Sequence, residues 1–177
     1  GGGILTVANA SAAAGLVIGG IMLTGLGGMF TSLVFAATGG FSGLCLVMVA
    51  LVCIILGMGM PTTPAYIVVA TLGAPALIRM GLAPLVAHMF CFYYAILSFI
   101  TPPVCVAAYA GANIAEADPM KTGFTAFRLG IAAYLVPYFF IFEPALLLIG
   151  SWEAVLQAVC TATVGTICIA SAMMRFF

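Results

Sequence analysis

Long apolar runs, interrupted by short clusters of glycine, proline and threonine, organise this chain. The runs predict helices at 6–29, 42–56, 65–78, 84–99, 104–114, 123–142 and 154–174. "GLGGMFTSLVFAATGG" (25–40) reads as a connection holding a short amphipathic piece. "GMGMPTTP" (57–64) separates the second helix from the third, and "ITPP" (100–103) interrupts the fourth. "RMGLAP", "AEADPMKTG" and "FEPALLLIGSWE" read as turns or polar loops, and Pro137 predicts a bend in the helix over 123–142. The pieces 42–56 and 65–78 span about 21–24 Å at 1.5 Å per residue, short for the roughly 30 Å hydrocarbon layer. That length suits a hairpin that enters the membrane and returns to the same side.

Charge reinforces the membrane reading. Charged residues make up 5% of the chain and hydrophobic ones 66%, against about 25% charged in soluble domains. No Asp, Glu, Lys or Arg precedes Arg79, and the next one is Glu116. The fold class is therefore an all-α polytopic membrane protein. A net charge of zero excludes a nucleic-acid binder. Lys121 and Arg128, with Arg175, place their ends of the helices on the cytoplasmic side by the positive-inside rule. Arg79, Glu143 and Glu153 are then periplasmic. The opening "GGGILTVANAS" has no basic segment of the kind a signal peptide carries, and the chain reads as part of something longer.

The two interruptions are the candidate site. Irregular backbone at membrane depth is tolerated where protein buries it or where it lines a wet cavity. A plain proline kink needs no glycine and no fresh helix start. Here Thr63 precedes Pro64 and Thr101 precedes Pro102, which reads as a capping threonine followed by proline at the first helical position. Gly57 and Gly59 suit a helix C-terminus with positive φ. An ending half-helix offers carbonyl oxygens to a small cation, and a starting one offers N–H groups to an anion. The expected Na⁺ ligands are carbonyls of Gly57, Met58, Gly59, Met60, Phe99 and Ile100, with hydroxyls of Thr62, Ser98 or Thr101. The expected anion contacts are Thr62, Thr63 and Thr101. No enzyme chemistry and no cofactor beyond Na⁺ is expected.

Other polar residues read as structural. His88, the single histidine, is about 15 Å along a straight helix from Ser98 and reads as packed or interfacial. Tyr66 and Tyr109 are near enough to the breaks to touch a ligand. Tyr93 and Tyr94 read as packing residues, and Arg79 as a headgroup anchor. Cys45, Cys53, Cys91, Cys105, Cys160 and Cys168 lie in apolar runs without a CxxC pair and read as small buried hydrophobes. Asn9 and Ser11 offer polar contacts on the small-residue first helix.

The stretches "GMGMPTTPAYIV…LGAPAL", "AHMFCFYYAILSFITPPVCVAAYAGANIAEADPMKTGFTAFRLG" and "LVPYFFIFEPALL" closely resemble the large membrane subunit of TRAP transporters. The resemblance is to the fused type, which joins small and large subunits and works with a TAXI-type periplasmic binding protein. It implies a Na⁺-coupled secondary transporter for organic acids, such as dicarboxylates, in the bacterial inner membrane. It also implies an elevator mechanism with two inverted repeats, each holding a re-entrant hairpin and a broken helix. By that resemblance this chain is the second repeat and a C-terminal fragment, with the first repeat and small-subunit helices as partners. The implied site falls on Gly57, Gly59, Pro61, Thr62, Thr63, Ser98, Thr101, Pro102 and Pro103. The implied divisions are a scaffold helix and connection (1–40), a transport half (41–116) and C-terminal helices (117–177). Within the transport half, the hairpin is 41–80 and the broken helix 84–115. An intramembrane protease is disfavoured, because all four acids sit in or beside polar turns. A structural membrane subunit without a ligand site is the alternative, but it leaves the double break unexplained.

Overall fold

The computed structural model describes the backbone of residues 2–175 and the side chains of residues 12–13 and 15–172. Asn9, Ser11 and Arg175 carry side chains outside the described residues. Nine α-helices and three short 3₁₀ turns make up the described chain, with no strand among the described residues. Two compact units form, Gly1–Ser98 and Phe99–Phe177.

The first unit holds α1 (Gly2–Thr24), α2 (Leu26–Thr38), α3 (Ser42–Gly57), α4 (Thr62–Arg79) and α5 (Pro84–Leu97). The predicted first helix is not straight. Gly25 takes φ 66°, and the chain bends by 64° between Gly15–Thr24 and Leu26–Thr38. A left-handed residue cannot continue a right-handed helix, and glycine reaches that conformation without a Cβ clash. The expected connection over 25–40 is therefore mostly the helix α2.

Helix α4 is the centre of this unit and packs against α1, α2, α3 and α5. A Cβ at Gly73 would stand 3.0 Å from Cys91 Sγ and 3.3 Å from both Cys53 Sγ and Val49 Cγ1. The missing side chain sets how closely α3, α4 and α5 approach, as small residues do in membrane bundles. Pro75 interrupts the α4 ladder, since it has no N–H for the Thr71 carbonyl. Gly27 of α2 lies against that carbonyl, with its Cβ position 3.2 Å from Thr71 O.

The second unit holds α6 (Val106–Ile114), α7 (Pro119–Leu129), α8 (Val136–Phe142) and α9 (Trp152–Arg175). The predicted polar loop before α7 is shorter than expected. Asp118 caps this helix, its carboxylate accepting from the Lys121 N–H at 2.9 Å, and Pro119 occupies the first turn. The predicted helix over 123–142 breaks at Gly130, passes through a 3₁₀ turn (Ile131–Tyr134) and restarts as α8. The bend between Pro119–Leu129 and Ile131–Phe142 is 56°. Pro137 lies in the first turn of α8, where its missing N–H costs nothing. It marks a new start rather than a kink.

Among the described residues, α9 is the one unbent helix long and apolar enough to cross a membrane. Counting each bent pair as a single span raises the number to three. Cys45, Cys53, Cys91 and Cys105 are buried as expected, whereas Cys160 and Cys168 are exposed on α9. An apolar helix in lipid has no reason to turn cysteine inward on every face.

Candidate functional site

The first break runs from the end of α3 to the start of α4. Met58 leaves the helix with φ −62° and ψ 131°, Gly59 has φ 76°, and Pro61 is the residue before α4. Thr63 is not the cap that its position before Pro64 predicted. Helix α4 begins at Thr62, and no side chain caps it. The physical reason is that Pro64 tolerates any place in the first turn, where N–H groups have no helical partner. Thr62 and Thr63 are thus exposed first-turn residues.

Prolines expose the carbonyls here by arithmetic. In a helix each C=O accepts from the N–H four residues on. Pro61 stands four residues after Gly57, and Pro64 four after Met60, so neither carbonyl can accept the i+4 helical bond. Phe99 stands three residues before Pro102 and four before Pro103, so its carbonyl lacks both the 3₁₀ and the α partner, whereas the Ser98 carbonyl belongs to the 3₁₀ turn. The carbonyls of Gly57, Met60 and Phe99 belong to the two interruptions. This i/i+4 relation is the signal that a reading based on caps overlooked.

Gly57 ends in contact with the far end of α5. A Cβ on it would stand 3.0 Å from Ser98 Oγ, 3.1 Å from Ala95 O and 3.2 Å from Ala95 Cα. The tip of the first break therefore meets the residue at which the second one begins. Ser98 is buried at 1% exposure, and its hydroxyl donates to Ala95 O at 2.6 Å. With its proton committed there, Ser98 Oγ retains acceptor lone pairs.

The second break starts with a 3₁₀ turn (Ser98–Ile100) and ends at Cys105, the residue before α6. Thr101 and Pro102 do not open a helix, contrary to the cap-and-proline expectation. A residue preceding proline is driven out of the α region. Thr101 precedes Pro102, which itself precedes Pro103, so two successive residues are barred and the start moves to Val106. The Pro102–Pro103 peptide is cis.

Side chains organise this break. Thr101 Oγ1 lies 2.6 Å from the Tyr134 hydroxyl. Tyr109 donates its hydroxyl to the Pro103 carbonyl at 2.6 Å and also approaches Met120 Sδ at 3.1 Å. The Thr101 carbonyl accepts from the Cys105 N–H at 3.2 Å. Tyr134 was not singled out from the sequence, because it lies 33 residues from Thr101. Tyr109, expected near a ligand, holds the chain of the break.

Tyr66 is likewise occupied. Its hydroxyl is 3.0 Å from His88 Nδ1, and its ring meets Phe92 edge-on at 5.4 Å. The expectation of a packed His88 agrees with this pairing. The Arg79 guanidinium lies 5.2 Å over the Phe35 ring, within cation–π range. Two cavities lie apart from the breaks, one of about 350 Å³ beside Gly25, Thr71 and His88 and one of about 310 Å³ beside Phe139, Glu143 and Thr161.

The sequence matches the family described as "Tripartite ATP-independent periplasmic transporter, DctM component" over residues 3–155. The chain belongs to the DctM family. No curated protein and no solved structure matches it. As a DctM component it is a membrane part of a TRAP transporter permease, not an enzyme, and such transporters work with a periplasmic substrate-binding protein. Both interruptions lie inside the matched region, together with Tyr109 and Tyr134. Among the described residues no group of three or more His, Cys, Asp and Glu side chains could hold a metal ion. The oxygens at the two interruptions are neutral hydroxyls and carbonyls.

Proposed function

We propose that this chain helps a TRAP permease import organic acids, dicarboxylates or related carboxylates, across the bacterial inner membrane with Na⁺. The carrying observation is the set of carbonyls deprived of an i+4 N–H by proline, at Gly57, Met60 and Phe99, beside the close approach of Gly57 to Ser98. Neutral oxygens without helical partners satisfy Na⁺ at little desolvation cost compared with buried carboxylates. Gly57, Met58, Gly59, Met60 and Ile100 supply carbonyl ligands, with Thr62, Ser98 and Thr101 hydroxyls. The carboxylate substrate contacts Pro61, Thr62, Thr63, Thr101, Pro102 and Pro103. The α4 N-terminus contributes roughly 0.3–2 kcal/mol per anionic contact, so Na⁺ carries much of the charge compensation.

The remaining assignments belong to the same reading. A TAXI-type binding protein delivers the substrate, and the rest of the permease completes the site. Helices α3 and α4 form a re-entrant hairpin that moves in an elevator step. A disulfide joining α2 to α4 in the complete permease then stops uptake, and full uptake with complete cross-linking would rule the motion out. For orientation, a cysteine at Gly81 should react with an external impermeant maleimide and one at Thr122 should not. The reverse pattern would invert the topology.

The decisive test is uptake of a labelled dicarboxylate by proteoliposomes holding the complete permease, with its binding protein outside. Uptake is expected to require an inward Na⁺ gradient. Thr101→Ala should raise the Na⁺ concentration needed for half-maximal uptake while protein yield is unchanged. Uptake indifferent to Na⁺ would overturn the reading.

A further inference from the structure

Tyr134 stands where it can control the one threonine of the second break. Its hydroxyl is 2.6 Å from Thr101 Oγ1. Its ring is fixed by an edge-on contact with Phe127, 5.3 Å between centroids at 65°. Backbone geometry brings it there. Gly130 ends α7, and its Cβ position lies 2.6 Å from Ile100 Cδ1, closer than a real Cβ is found. The missing side chain lets the 3₁₀ turn Ile131–Tyr134 lie against the break. The contact is half-buried, where a fixed hydrogen bond is better protected from water than at the surface.

A threonine hydroxyl has one proton and two lone pairs. To ligate a cation it must turn lone pairs inward and send its proton away. An acceptor on the far side achieves this, and the Tyr134 oxygen, 2.6 Å away, is placed to serve as one. We propose that Tyr134 is a positioning residue for monovalent cation binding: it accepts the Thr101 proton and so aims Thr101 Oγ1 lone pairs into the break. The proposal rests on the Na⁺ reading above and goes beyond it by assigning a residue outside both interruptions. Either oxygen can donate across this pair, so cation binding selects one direction of the bond. Tyrosine at 134 is then required for its hydroxyl and not only for its ring.

The test is a Na⁺ titration of the complete purified permease, read as thermal stabilisation against choline chloride at matched ionic strength. The probe is Na⁺ alone, so no substrate needs to be known. Tyr134→Phe keeps the ring and is expected to raise half-saturating Na⁺ roughly five-fold, as the loss of one ordinary hydrogen bond does. Melting in choline chloride reports the fold separately. Thr101→Ala is expected to shift the titration at least as far, and Tyr134→Phe should add nothing in that background. Thr101→Ser should restore the wild-type titration, because it keeps the hydroxyl. If Thr101→Ala shifts the titration and Tyr134→Phe does not, the positioning role is overturned and the Na⁺ reading stands. Equal, fully additive shifts would also overturn it, since Tyr134 would then act elsewhere. If neither substitution moves the titration, the Thr101 cation site and the positioning role both fall.

Discussion

The two interruptions reach one end, half-helices that stop, by different means. The break after α3 is made by backbone alone. Gly57 has room only for hydrogen against Ser98 and Ala95, Gly59 takes φ 76°, and Pro61 and Pro64 withhold two N–H groups. Its exposed threonines carry no cap bond. The break after α5 is held by side chains, with Tyr134 on Thr101 and Tyr109 on Pro103. The lesson concerns the fold: the first break should keep its shape without its threonine hydroxyls and not with an added methyl at Gly57, while the second depends on its hydroxyls.

The largest effect is expected at Gly57. Gly57→Val places carbon atoms where Ser98 Oγ and the Ala95 backbone already stand. Overpacking of this kind costs about 1–3 kcal/mol, and α3 must also move away from α5. Transport should fall by about ten-fold or more, checked by uptake and by melting of the purified permease. Normal uptake would show that the tip need not touch Ser98.

Gly59→Ala is next. Its φ of 76° costs an L-residue about 1–2 kcal/mol, and the residue is exposed. A melting shift is expected without a change in Na⁺ half-saturation, which separates conformational strain from lost ligands. Gly28→Ala, with nothing within 4 Å of its Cβ position, is the control and should behave as wild type.

Tyr109→Phe sharpens the other side. It removes the donor to Pro103 O, worth about 1 kcal/mol for an ordinary hydrogen bond. Faster hydrogen exchange at residues 104–106 is the expected readout, with α3 and α4 unaffected. The smallest effect is expected for Thr63→Val. This threonine is exposed and caps nothing, so stability should stay within about 0.5 kcal/mol. Any larger effect confined to transport would mark it as a substrate contact.

Much of this architecture was legible in the chain. Apolar runs located the helices, since α3, α5 and α9 begin and end within two residues of the predicted limits. Misplaced starts came from one source. Threonine before proline looks like a cap in one dimension, yet α4 starts before Thr63 and α6 starts well after Thr101. Proline constrains its neighbours on both sides, and the balance depends on what the next residues can do. Gly25 and Gly130 bend pairs of helices that apolar periodicity presents as continuous. Periodicity records which residues suit lipid, and a single glycine leaves it almost unchanged.

By itself the sequence determined the solvent, the helical class, both interruptions and, through proline spacing, which carbonyls lose their N–H partners. Those properties are local, fixed by side-chain transfer energy and by the chemistry of one ring. Tertiary structure decided what each interruption meets. Gly57 against Ser98, Gly130 against Ile100, and Tyr134 on Thr101 join residues 30 or more positions apart. Pairings of that kind depend on how helices pack, and packing depends on all the small residues at an interface together. No window along the chain contains that information.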